Sequence, residues 1–132
     1  MDILLERAGL YRNTYWRRVK QMEAANVIRG RVALLDPDAV DVGLLVFVMI
    51  RTNTHPPDWL LKFEKAVRAM PEMLGAHRMS GALDYVLRVR VQNVKGYDVF
   101  YQRLIAHVPI SDISASFVMD DIKETTELPL GI

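Results

Sequence analysis

From Leu44 onward the hydrophobic residues change period in a fixed order, and no other feature restricts the fold as much. "LLVFVMIRT" is an apolar run of strand length, rich in β-branched residues. Pro56, Pro57 and Asp58 then open a helix in which Leu60, Phe63, Ala66, Val67 and Met70 recur at i+3 and i+4, and Pro71 stops it. "EMLGAHRMSG" follows as a second strand, with Gly81 to Asp84 as a tight connection. In "DYVLRVRV", Tyr85, Leu87, Val89 and Val91 alternate with Val86, Arg88 and Arg90, the period of a half-buried strand. A second helix gathers Tyr97, Phe100, Tyr101, Leu104 and Ile105 on one stripe and ends at Pro109. The last strand alternates Ile113, Ala115, Phe117 and Met119 against serines and Asp120.

The order is β-α-β-β-α-β, the ferredoxin-like split βαβ arrangement, an antiparallel sheet with two helices on one face. Its other face carries Val86, Arg88 and Arg90 and needs cover, which predicts a homodimer paired through the sheet.

Ahead of this domain lies a different kind of sequence. Residues 2–7 are expected to be the last turns of one helix, Gly9 a break, and residues 13–25 a second helix with Asn13 or Thr14 as its N-cap. On that helix Tyr15, Val19 and Met22 share one side, while Thr14, Arg17, Arg18 and Gln21 share the other. Asn26 is expected to end it in a left-handed turn, and "VIRGRVALL" to run on as a strand. The Asp-, Pro- and Gly-rich "DPDAVDVG" reads as a hinge, giving residues 1–35, a hinge at 36–43 and a domain at 44–132.

The chain's net charge of +1 hides a segregation. Residues 1–31 hold seven basic side chains against three acidic ones, a local balance of +4, so the remainder is mildly acidic. A basic segment on an acidic body suggests a polyanion partner for the segment alone. No uninterrupted apolar run reaches membrane-spanning length, because "VGLLVFVMI" is flanked by Asp41 and Arg51. The N-terminus lacks a signal-peptide pattern, and zero cysteines suit a reducing compartment, so a cytoplasmic protein is expected.

Residue chemistry gives an enzyme little support. His55, His77 and His107 fall on a loop, a strand and a helix end, without the spacing of a metal site. Asp120 and Asp121, adjacent in a strand, would point to opposite faces. No phosphate-binding glycine loop occurs, so neither catalytic residues nor a cofactor or metal are assigned.

Two features remain. A short helix, a glycine turn and a helix opening on small polar residues form a helix-turn-helix layout, whose second helix enters the major groove of double-stranded DNA. Arg12, Arg17, Arg18 and Lys20 would contact phosphates, and Asn13, Thr14, Tyr15 and Gln21 are the remaining candidates at the interface, with base reading given to Asn13, Thr14 and also Arg17. Trp16 is expected to pack rather than to stack on bases. The second feature is "SGALDY", a plain hairpin turn or a small-ligand loop in which backbone N–H groups meet a carboxylate and Asp84 meets an ammonium.

Three segments in order carry a resemblance: "WRRVKQMEAANVIRGRVALLDP", "FEKAVRAMPEMLGAHRMSGALDYVLRV" with its G-x-x-D-Y turn, and "SASFVMDDIKETTELPL". Together they resemble the leucine-responsive regulatory protein/AsnC (Lrp/AsnC) family of transcriptional regulators over essentially the whole chain. The resemblance implies an α+β protein with a helix-turn-helix DNA-binding part and a ferredoxin-like (ACT-like or RAM) ligand-sensing domain. It implies dimers that often assemble to octamers, with an amino acid effector bound near dimer–dimer contacts. Carried onto this sequence, the ligand turn is Ser80, Gly81, Ala82, Leu83, Asp84 and Tyr85. The family normally has a complete first helix before the segment matching "LLERAGLYRNTYWRRV", so the DNA-binding part here is expected to be partial. A stand-alone ligand-binding module that has lost autonomous DNA binding is the alternative. A third possibility is an enzyme, since relatives such as the siroheme decarboxylases are catalytic.

Overall fold

The computed structural model describes residues 2–52 and 57–131, with side chains from Arg12 onward. His55 and Pro56, placed by the sequence in a loop and at a helix start, lie outside the described residues. The chain forms two compact units, Met1–Leu34 and Leu35–Ile132.

The second unit contains β1 (Leu44–Arg51), α2 (Pro57–Ala69), β2 (Met73–Arg78), β3 (Tyr85–Val91), α3 (Val94–His107) and β4 (Asp112–Phe117), while α1 (Asp2–Ala24) belongs to the first. All strand pairs are antiparallel in a four-stranded sheet of order β2-β3-β1-β4. The two most apolar strands, β1 and β3, therefore occupy the centre. The expected β-α-β-β-α-β order and its ferredoxin-like sheet are both present.

Alternation decides which side of the sheet is the core. Val46, Val48, Ile50, Leu87 and Val89 are all 0% exposed and pack with Phe63, Phe100 and Leu104 of the helices. Burying each such side chain contributes roughly 1.5–3 kcal/mol. In α2, Pro57 and Asp58 suit a helix start, and Trp59, Phe63 and Ala66 are buried. The expected stripe began one residue late: Leu60 is 38% exposed, and Trp59 is the residue that anchors the first turn. Asn93 caps α3, its Oδ1 accepting from the Gly96 N–H at 2.8 Å. The last strand ends at Phe117, short of the expected Met119, which is 94% exposed beyond the sheet.

On the opposite face, the register sets Leu45 against Arg90, Phe47 against Arg88 and Met49 against Val86. Arg88 pairs with Glu124 at 2.7 Å, and Arg90 lies 3.4 Å from the Val42 and Gly43 carbonyls. Residues 36–43 form a compact turn in which Val42 N–H donates to the Pro37 carbonyl at 2.9 Å. At the outer edge of β2 the register slips between Met73 and Gly75, a β-bulge at Leu74.

In the first unit the sequence expectation needs two corrections. The break at Gly9 is absent: α1 runs without interruption through 23 residues, so Asn13 and Thr14 sit inside a helix and do not cap one. A single interior glycine costs only about 1 kcal/mol, too little to end a helix flanked by leucine, glutamate, arginine and alanine. The strand expected over "VIRGRVALL" is also missing, because no neighbouring strand takes up its backbone groups. Val27, Val32, Leu34 and Leu35 are all exposed. Asn26 does adopt a left-handed φ of 61°, two residues past the end of α1.

Candidate functional site

Arg12, Asn13, Thr14, Tyr15, Arg17, Arg18, Lys20 and Gln21 are all exposed on α1. At about 100° per residue, Asn13, Thr14, Arg17, Lys20 and Gln21 cluster on one side with Arg18 at its margin, while Arg12 and Tyr15 point nearly opposite to Arg17. A duplex lying along the first side would not meet Arg12 or Tyr15. Tyr15 does not share the burial of Val19 either, being 69% exposed against 7% for Val19.

Trp16 is also not the packed residue the sequence suggested, with 43% of its surface exposed. The Arg31 guanidinium sits 4.8 Å from its ring centroid and Lys20 Nζ 5.7 Å away. Arg31 also pairs with Glu23 at 3.4 Å. Together these contacts fold the exit segment back onto the end of α1.

In the second unit, the pairings Ile50 with Tyr85 and Arg51 with Asp112 bring the end of β1 and the starts of β3 and β4 to one end of the sheet. The chain order puts the start of α2 and the end of α3 there as well. The turn of Ser80 to Tyr85 closes this end. Gly81 holds φ at 123°, a conformation glycine adopts without strain. Met79 N–H donates to the Asp84 carbonyl at 2.8 Å, and Asp84 N–H to the Ile50 carbonyl at 2.9 Å.

The six turn residues divide into two groups. Ser80, Gly81 and Ala82 are exposed, Leu83 and Asp84 are half-buried, and Tyr85 is buried. The Asp84 carboxylate accepts the Thr52 N–H through Oδ2 at 2.6 Å, so it clamps the end of β1. A carboxylate has about four acceptor positions, which leaves room for a ligand ammonium. Tyr85 packs into an aromatic cluster, its ring 5.0 Å from Phe63 and 5.8 Å from Trp59. It therefore supports the turn from beneath.

Thr52 and Trp59 were not singled out as site residues from the sequence. Trp59 had a readable signal, since Trp59, Phe63, Ala66 and Met70 repeat at four, three and four residues. The Thr52 contact is made by a backbone N–H across 32 residues, and sequence carries no mark of it. Elsewhere in this unit, burial pushes the Tyr97 phenol above its ordinary pKa, with Tyr101 and Asp98 adding to the shift. Among the described residues no group of three or more His, Cys, Asp or Glu could hold a metal ion, and no helix is long and apolar enough to cross a membrane.

Comparison with known proteins bears on both units. Residues 45–128 match the Lrp/AsnC ligand binding domain. The chain is 44% identical to the DNA-binding transcriptional activator DecR of Escherichia coli over 131 residues, covering 98% of this chain and 86% of that protein. It is similar in structure to an AsnC family transcriptional regulator from Agrobacterium tumefaciens, with a TM-score of 0.81 and 51% identity over 86% of this chain and 74% of the other. A transcriptional regulator from Neisseria meningitidis, solved as a complex with L-Met, superimposes with a TM-score of 0.82 and 34% identity over 89% of this chain and 77% of the other.

Proposed function

The chain belongs to the Lrp/AsnC family of transcriptional regulators, and from that premise we propose that it senses an amino acid beside the Gly81–Tyr85 turn. Backbone N–H groups of Ser80, Gly81 and Ala82 meet the ligand carboxylate, and Asp84 meets its ammonium. Copies pair through the open face of the sheet carrying Phe47, Arg88 and Arg90. Ligand at the turn biases how these dimers assemble further, and so changes the spacing of the basic α1 helices along DNA. Arg17, Arg18 and Lys20 supply the salt-dependent phosphate contacts.

The observation that carries the sensing role is the position of Asp84. Its carboxylate is half-buried at the rim of the turn and tied to Thr52, so any group that engages it also acts on the end of β1. The L-Met complex of the Neisseria meningitidis regulator supports an amino acid as the ligand class.

Calorimetric titration with the common amino acids, on the parent chain and on Asp84→Ala, tests the assignment. Binding by the parent and loss in the variant is expected. Equal binding by both sinks the turn as the site, and absence of any binding sinks the sensing role.

A second reading draws on the first unit, where among the described residues α1 runs through Gly9 without the expected turn. In this reading the chain is a ligand-binding oligomeric module without autonomous DNA binding, acting alone or mixed with relatives. Mobility shifts across a salt series separate the two. A regulator that grips DNA through Arg17, Arg18 and Lys20 loses affinity steeply as salt rises, with a slope of about one per phosphate contact.

A further inference from the structure

On the open face of the sheet, apolar residues of β1 lie beside basic residues of β3, Leu45 with Arg90 and Phe47 with Arg88. Two copies meeting through that face would gather the guanidinium groups of both, and like charges repel more strongly as water is excluded. The chain supplies a counter-charge for Arg88. β4 ends at Phe117, and the Val118 N–H makes one more bond to β1, to the Leu45 carbonyl at 2.9 Å. The chain then leaves the edge strand, and the Glu124 carboxylate returns to Arg88 on β3, two strands in, at 2.7 Å. Residues 118–124 are therefore tied at both ends to strands of this sheet. Between the ties, Met119 is 94% and Ile122 99% exposed. A segment anchored at both ends that still holds its large apolar side chains in water is suited to a surface that one copy does not provide.

We infer that residues 118–124 are a strap inside the contact between two copies: Glu124 neutralises Arg88 so that the basic faces can approach, and the second copy covers Met119 and Ile122. The inference rests on the pairing of sheet faces proposed above and adds the segment that makes this pairing electrostatically feasible. The occupant is a second copy because Glu124 already sits on the face through which copies pair, so a copy that docks there meets the strap. In one copy the Arg88 and Glu124 side chains are 35% and 47% exposed, so both still have hydration to lose on association. Once water is excluded, a guanidinium without its carboxylate would be an uncompensated buried charge. Arg90 is held separately, by the Val42 and Gly43 carbonyls at 3.4 Å, so the two cations do not compete for Glu124. A two-fold contact uses each strap twice, since what one copy offers the other receives.

Sedimentation equilibrium of the full chain at about 0.1 M and about 1 M salt tests the strap, because the screening length drops from about 10 Å to about 3 Å between them. Glu124→Gln is expected to raise the dimer dissociation constant about tenfold at the lower salt and to lose most of that gap at the higher. Adding Arg88→Gln removes the stranded cation and is expected to restore pairing to within about threefold of the parent. Met119→Ser combined with Ile122→Ser is expected to weaken pairing at least about tenfold at both salts. The same pair of changes should leave the urea midpoint of dilute single copies unchanged, since both side chains stand in water there. Pairing by these variants equal to the parent's overturns the strap, and so does a Glu124→Gln loss that neither salt nor Arg88→Gln repairs. Phe47→Lys adds a cation to the face itself and is expected to leave single copies. If it abolishes pairing while the strap variants pair like the parent, the strap falls and the face survives. If the parent stays single at every concentration, or Phe47→Lys pairs as the parent does, face and strap fall together.

Discussion

Residues 85–91 and residues 27–35 are both rich in valine and leucine, both broken by arginines, and they end in different states. The first is β3, hydrogen-bonded on one side to β1 and on the other to β2, with Leu87 and Val89 fully buried. The second makes no strand, and Val32 and Leu34 stand 83% and 74% exposed. Propensity is nearly the same in the two, so the difference lies in what surrounds them. A strand forms where neighbours satisfy its N–H and C=O groups and a helix layer covers one face. Residues 27–35 have neither within one chain.

The largest test of this contrast is a matched pair of truncations. Leu87→Ala should cost about 2–5 kcal/mol in urea unfolding of the second unit, whereas Val32→Ala should stay within about 0.5 kcal/mol. A comparable loss in both would mean that residues 27–35 are packed after all. Next in size is Asp84→Ala, which strips the Thr52 N–H of its acceptor and should cost about 1–3 kcal/mol by the same measurement.

Arg31→Ala probes the side-chain tie on the exit segment, which the Val27 and Ile28 N–H bonds to the Met22 carbonyl accompany. It removes both the contact with Trp16 and the pair with Glu23, and is expected to cost the first unit about 0.5–1 kcal/mol. Trp16 emission should shift while the melt of the second unit stays put. The smallest effect is alkaline. The folded chain prefers the neutral Tyr97 phenol, so that share of stability is intact below the ordinary pKa of 10.0 and fades as pH climbs through the raised folded value. The melting temperature of the parent should therefore fall relative to that of Tyr97→Phe as pH rises above about 10.

How far the sequence disclosed the molecule follows the same division. The proline start at Pro57, the proline stops at Pro71 and Pro109 and the period-two run in β3 are local signals, and the second unit was legible from them. The Gly9 break and the strand at residues 27–35 were read from local signals too, but each needs neighbouring elements to hold it. Without those neighbours the backbone took the cheaper local course, a continuous helix and an unpaired segment. The candidate turn was visible because Gly81 and Asp84 are turn residues. What Asp84 holds was hidden, because the partner is a main-chain N–H at Thr52 and backbone groups are the same in every sequence.

The bulge at Leu74 has a consequence for growth. Sheets extend when an outer strand offers a straight, regular row of donors and acceptors to the next molecule, and that is how fibres begin. Here the β2 side is kinked by the bulge, and the β4 side is six residues long and carries Asp112, Ser114 and Ser116. Neither rail makes a good template, so self-association through this sheet is steered toward contacts between faces. A contact between faces that is related by a two-fold axis closes on itself, which a strand added at an edge does not.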